Sequence, residues 1–267
     1  MTQYIAKPAD GAVWITGASS GIGRSLALTL ASEGFVVFAT ARSVDQLAEL
    51  ERDASGLMGR VIAAPGDVTR ANEMAAIVER IDAHRGGLAL AVFNAGVYLP
   101  VYGEQLKVAD FDTSFAVNLS GVVNGLVPAL SHMKARRRGQ LAIVSSVTGY
   151  GGMPTSAAYG ATKAALINMA ESLKFDLDKL GVHIQVINPG FVDTPATEDN
   201  AFAMPALLQP EEAANRIARG LKSSAFEITF PRRFTFVLKA LQFLPYPVYF
   251  WLMNAATGWK KRPLQTA

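Results

Sequence analysis

Six short runs of this chain are almost continuously apolar, and helical spacing follows most of them. AVWIT (12–16), FVVFATA (35–41), RVIAA (60–64), LALAVF (88–93), QLAIVS (140–145) and HIQVIN (183–188) read as strands. A strand wet on one face alternates polar and apolar residues, whereas a strand covered on both faces does not. Helical patterns occupy 22–33, 43–54, 69–85, 110–135 and 157–180. Repeated strand–helix units with buried strands predict a single-domain α/β fold. The expected form is a doubly wound parallel sheet with helices on both faces, because the crossovers are right-handed. The 267 residues, 50% of them hydrophobic, suffice for one such core, and no repeat or linker divides them.

Composition removes several classes of chemistry. There is no cysteine, which excludes disulfides and thiolate metal sites and suits a reducing, cytoplasmic compartment. His84, His132 and His183 stand far apart, so no zinc site is expected. The net charge of +3 is concentrated in RRR (136–138), RR (232–233) and KKR (260–262), which read as solvated helix ends. They lack the aromatic interleaving of a nucleic-acid surface, and no nucleic-acid partner is expected. MTQYIAKPAD at the start shows no signal-peptide pattern.

The first strand runs into TGASSGIG, placing Gly17, Gly21 and Gly23 where strand turns into helix. Such a turn lets backbone N–H groups approach a diphosphate, with the helix N-terminus favouring its charge. At the end of the second strand, where an enzyme preferring NAD carries a carboxylate, the sequence has Ala41 and then Arg42. A guanidinium can bind a 2′-phosphate in a forked, charge-assisted geometry. Arg42, helped by Ser43, therefore points to NADP(H) over NAD(H).

Within SAAYGATKAAL, Tyr159 and Lys163 are four apart and share one helix face. A free tyrosine titrates too high to serve as an acid–base group near neutrality, and a neighbouring ammonium is expected to lower its pKa. Ser146, at the end of the fifth strand, can donate a hydrogen bond to a carbonyl oxygen on which charge grows.

TGASSGIG, Asp67-Val68, Asn94-Ala95-Gly96, Asn118, Ser146, Tyr159-x3-Lys163 and Asn188-Pro189-Gly190 follow one another in order. In this ordered set the chain resembles the short-chain dehydrogenase/reductase family over residues 11 to 230, which implies a Rossmann-like fold. The resemblance implies Tyr159 as general acid or base, Lys163 as its activator and Ser146 as the group polarising the substrate carbonyl. Asn118 would complete a proton relay through water. Gly17, Ser19, Ser20, Gly21, Ile22 and Gly23 would form the diphosphate turn. Asp67 and Val68 would contact the adenine end, and Asn94, Ala95 and Gly96 would line the nucleotide. Beyond Pro189 and Gly190, Val192 and Thr194 would hold the carboxamide. One departure is Phe93, where the family commonly has a second asparagine. The alternative to an enzyme is a silent nucleotide sensor or scaffold of the same fold.

Substrate contacts are expected from the loops at 97–103, 147–157 and 191–212, the last read as a lid. Tyr98, Tyr102, Tyr150, Met153, Phe202 and Met204 would give an apolar wall suited to a small hydrophobic carbonyl or alcohol. Residues 1–230 form the expected catalytic domain and 231–267 an apolar extension. Lys239, Gln242, Pro245 and Pro247 interrupt that extension too often for a membrane span. Three readings of it stay open: a cover on the pocket, a subunit contact, or an amphipathic segment lying on a membrane. The family resemblance implies a homodimer or homotetramer.

Overall fold

The computed structural model describes residues 3–195, 197 and 204–264. Seven parallel strands form one sheet in the order β3-β2-β1-β4-β5-β6-β7. They are β1 (Ala12–Thr16), β2 (Val36–Thr40), β3 (Arg60–Ala63), β4 (Leu88–Phe93), β5 (Gly139–Val144), β6 (Val182–Pro189) and β7 (Glu227–Phe230). The six expected strands are all present, within a residue or two at their ends. β7 was not expected: its EITF run is four residues long and mixes Glu227 and Thr229 with the apolar positions, so its pattern is weak.

The helices are α1 (Gly21–Ser32), α2 (Val44–Asp53), α3 (Ala71–Asp82), α4 (Val108–Phe115), α5 (Gly121–Arg136), α6 (Ala157–Leu180), α7 (Pro210–Leu221), α8 (Arg232–Leu241) and α9 (Tyr246–Thr257). Local signals set their ends. Ser43 caps α2 by accepting from the Gln46 amide. α6 stops at Gly181, whose φ of 73° suits a residue without a side chain. Pro210 opens α7, and Glu211 and Glu212 sit in its positive first turn. The expected long helix at 110–135 is two helices joined by a widened π turn, Ala116–Ser120, centred on Asn118.

Each sheet face has its own core. On one, α1, α2 and α7 lay Leu26, Leu30, Leu47, Leu50 and Ile217 against Val13, Ile15, Val37 and Val92. On the other, α3, α5 and α6 lay Met74, Ile81, Leu126, Met133 and Leu166 against Trp14, Phe93, Leu141 and Ile143. Alternate residues of β1 thus serve opposite cores, which is why its sequence is apolar throughout. The rod Val108–Arg136 is long and apolar enough to cross a membrane by composition. Its Val122, Leu126, Ala129 and Met133 are instead buried on the sheet.

Phe93, the departure from the family pattern, packs edge-on against Trp14 with ring centroids 5.8 Å apart. A Cβ at Gly125 of α5 would lie 2.9 Å from the Phe93 ring and 3.0 Å from the Trp14 ring. Both rings are fully buried and cannot move aside. Gly125→Ala is expected to destabilise the fold by about 1–3 kcal/mol through overpacking. A lowered urea midpoint with an unchanged m-value would show it, and an unchanged midpoint would refute it.

Candidate active site

Between β1 and β4 the chain order of the sheet reverses, and a crevice opens at the strands' C-terminal ends. A cleft of about 570 Å³ occupies it. The turn after β1 forms its floor. Gly17 has φ 66°, and a Cβ there would stand 2.6 Å from Ala95 Cα, so only glycine lets the ends of β1 and β4 meet. Asn94 secures the junction by donating its side-chain amide to the carbonyls of Thr16 (3.1 Å) and Gly17 (3.0 Å). Thr16 Oγ1 in turn accepts from the Asn94 and Ala95 amides. Thr16 had no sequence signal, because its partners lie far away in the chain.

Ser19, Ser20, Gly21 and Ile22 line the cleft at the start of α1, where Ser20 makes no side-chain cap. The first amides of the helix therefore face the cleft uncapped by their own side chains. Gly23 is not on the cleft wall. A Cβ on it would fall 2.5 Å from Asn94 Nδ2, so this glycine serves the packing of α1 behind the turn.

Arg42 lines the cleft beside Ala41, is exposed, and has no carboxylate within 4 Å among the described residues. Ser43 does not line it; its oxygen is used as the α2 cap. Asp67 and Val68 form the adjoining wall. The Asp67 carboxylate accepts from the Thr69 amide and hydroxyl, both at 2.9 Å. Those bonds, the amide first, hold its pKa below the usual range, with a smaller contribution from Arg42. Gly96, Pro189, Gly190, Val192 and Thr194 complete the enclosure. Thr197 Oγ1 accepts from the Thr194 amide and donates to the Val192 carbonyl, pinning that loop.

Ser146, Tyr159 and Lys163 all line the cleft. Ser145 also lines the cleft, but its hydroxyl is committed to the Lys163 carbonyl at 2.8 Å, and of the two serines it is Ser146 that bonds Tyr159. Lys163 Nζ donates to the Val144 carbonyl at 2.8 Å and sits over the Tyr159 ring, 5.3 Å from its centroid. Here the expected pKa shift is reversed. Burial pushes Tyr159 up to about 12, only partly offset by the Ser146 hydrogen bond. Burial also lowers Lys163 to about 8. The ammonium faces the ring and a carbonyl rather than the phenolic oxygen, so desolvation outweighs the charge attraction.

Asn118 is fully buried outside the cleft wall. Its side chain accepts from the Val97 amide (2.7 Å) and donates to the Val97 carbonyl (2.9 Å), clamping the loop after β4. Its side-chain carbonyl and amide are thus engaged, and the π turn is what brings it to that loop.

The expected aromatic wall is largely redirected. Tyr98 lines the cleft and meets Tyr159 edge to face at 5.3 Å. Tyr150 turns away to donate to Glu227 of β7, and Tyr102 stacks on Trp259, 6.2 Å between centroids. Met153 and Met204 do not line the cleft, and Phe202 lies outside the described residues. Leu99 and Val97, from the expected substrate loop at 97–103, supply apolar surface to the cleft. The expected lid at 191–212 includes 196 and 198–203, also outside the described residues; Leu208 exchanges backbone bonds with Phe191 and Asp193, joining the two ends of the loop.

A sequence model of the family described as short chain dehydrogenase matches residues 11–203. An uncharacterized oxidoreductase of Myxococcus xanthus is 37% identical, with 88% of this chain and 93% of that one covered. The 3-oxoacyl-(acyl-carrier-protein) reductase FabG of Thermotoga maritima is 35% identical over 69% of this chain and 75% of its own. Among solved structures, ElxO with NADP bound superposes with a TM-score of 0.74 at 25% identity, covering 82% of this chain and 97% of that chain.

The buried lysine has a consequence for stability. Unfolded, Lys163 keeps its proton to about 10.5, whereas in the fold it loses it near about 8. Between those values the unfolded chain holds more protons, so raising the pH stabilises the fold. Urea midpoints measured from about pH 8 to about pH 10 are expected to rise more steeply for the wild type than for Lys163→Met. Parallel profiles would refute the shift.

Proposed function

The chain belongs to the short-chain dehydrogenase family, and on that footing we propose that it interconverts a hydrophobic ketone or aldehyde and the corresponding alcohol, using NADP(H) in preference to NAD(H). The observation that carries this reading is that Ser146, Tyr159 and Lys163 share one cleft with the glycine turn and with Arg42. The residues fit a dinucleotide: the turn is a cradle that a Cβ at Gly17 would fill, and uncapped α1 amides favour a diphosphate. Arg42 on the cleft wall supports binding of a 2′-phosphate, and Ala41, not a carboxylate, stands directly after β2.

A nicotinamide cofactor held by the glycine turn and Arg42 would supply the hydride that the substrate's carbonyl carbon takes up. The carbonyl oxygen then gathers negative charge, which the Ser146 hydroxyl stabilises by donating a hydrogen bond. Tyr159, with its pKa near about 12, holds its proton at neutral pH and delivers it to that oxygen. Such a pKa suits the reductive direction, in which the phenol must begin protonated. Lys163 remains mostly charged at neutral pH even at about 8, and its cation supports the phenolate left behind. Asn118 acts by holding the loop after β4, which carries Tyr98 and Leu99 toward the reacting group. Those two side chains favour an uncharged, apolar substrate. The names of the FabG and ElxO relatives agree with a carbonyl reductase and with NADP. Exposed Val127 and Phe175 on α5 and α6 support a homodimer or homotetramer.

Turnover is read from the absorbance of reduced nicotinamide across a panel of ketones and aldehydes. Tyr159→Phe is expected to lower kcat by about 100- to 10,000-fold while cofactor binding persists. Full activity in that variant would sink the acid assignment. Arg42→Asp is expected to weaken NADPH by about 10- to 100-fold relative to NADH, the equivalent of one lost charge-assisted hydrogen bond. An unchanged preference would remove Arg42 from the cofactor site.

A further inference from the structure

The segment from Pro231 to the end contains no acidic residue. Its six cations give it +6 in a protein of net charge +3, so residues 1–230 carry −3. Lys239 is paired with Glu227 and Arg262 with Glu104. Arg232, Arg233, Lys260 and Lys261 are exposed and have no carboxylate within 4 Å among the described residues.

The apolar residues of the same segment face the wrong way for a helix that only packs on its own domain. Phe236, Val237, Phe243, Tyr246, Phe250 and Trp251 are each at least 55% exposed. The inward positions are Thr235 of α8 and Tyr249 and Met253 of α9. Tyr249 anchors α9 by donating to the Gly152 carbonyl at 2.7 Å. An amphipathic helix of a water-facing domain turns its apolar stripe inward. Six large apolar side chains exposed within sixteen residues mark an interaction surface.

A second copy of the chain is a poor occupant, because a two-fold interface brings together two copies of a cationic segment that holds no carboxylate side chain. An anionic lipid surface satisfies both halves of the pattern. We propose that α8 and α9 seat this protein on an anionic bilayer. Aromatic side chains enter the headgroup–acyl boundary, and Arg232, Arg233, Lys260 and Lys261 meet the lipid phosphates and carboxylates. The seat requires no turnover, so it stands or falls separately from the reductase reading.

The test uses the full-length protein and phosphatidylcholine vesicles with and without phosphatidylserine. Wild type is expected to sediment with the serine-containing vesicles and to be released as salt is raised. Each of the four cations changed to glutamine is expected to cost about fivefold in vesicle affinity. Phe243→Ser with Trp251→Ser should abolish sedimentation while melting as the wild type does. A measurement needing no variant is quenching of tryptophan emission by lipids brominated on their acyl chains. Trp14 is buried in the core, so quenching reports Trp251 and Trp259. Absence of sedimentation and quenching would overturn the proposal. So would equal vesicle binding by the double serine variant, or a dimer that this variant dissociates while neither protein binds vesicles.

Discussion

The ends of β1 and β4 must nearly touch while the helices that follow them leave on opposite sides of the sheet. That requirement organises the rest of the molecule. It demands a residue without a side chain at Gly17, against Ala95, and a clamp to hold two strand ends that their own backbones cannot join. Asn94 and Thr16 make that clamp with four hydrogen bonds. Since buried backbone groups at a strand end are costly to leave unpaired, the clamp satisfies them and fixes the cleft floor together. The opening that remains is where a dinucleotide fits and where Tyr159, Lys163 and Ser146 converge.

Within that cleft, burial and charge pull in opposite directions. A phenol and an ammonium a helical turn apart would attract if the amine faced the oxygen. Here Lys163 spends its nearest hydrogen bond on Val144, and desolvation drives both groups toward their neutral forms. A tyrosine that keeps its proton is an adequate acid but a poor base. That agrees with the proposed role of Tyr159 as a proton donor. Any group that brings negative charge or hydroxyls close to Lys163 would stabilise its cation and shift that balance.

The fold and the site were not equally legible in the sequence. Strands β1 to β6 announce themselves because both their faces are covered, so apolar residues leave no gaps. β7, at the sheet edge, places Glu227 and Thr229 among its four residues, where they bond Tyr150, Asn188 and Lys239. Its polarity belongs to a tertiary network, which a local pattern cannot reveal. α7 buries Ala213, Ala214, Ile217, Ala218 and Leu221 on one face, a regular helical stripe that the reading of the sequence left unassigned. The glycine turn and the Tyr159–Lys163 pair were readable because turn chemistry and helical spacing are local, whereas Asp67, Val68, Asn94, Val192 and Thr194 were expected from the family resemblance alone. The π turn at Asn118, the clamp at Thr16 and the turning of Tyr150 toward Glu227 depend on partners distant in sequence.

What holds the C-terminal helices in place follows from magnitudes. The Lys239–Glu227 and Arg262–Glu104 pairs are only partly buried. Ion pairs open to water contribute about 0–1 kcal/mol each, too little to fix two helices. Packing must carry more. Phe234 lies against Phe191 with ring centroids 5.7 Å apart, and a Cβ at Gly190 would stand 3.2 Å from its ring. Met253 and Tyr249 are buried, and Trp259 stacks on Tyr102 while Arg262 lies over both rings. These contacts fall on the loops after β4, β5 and β6, the same loops that shape the cleft. The C-terminal helices therefore rest on the cleft rim, and α8 is also tied to the sheet directly, through Lys239 and Glu227 of β7.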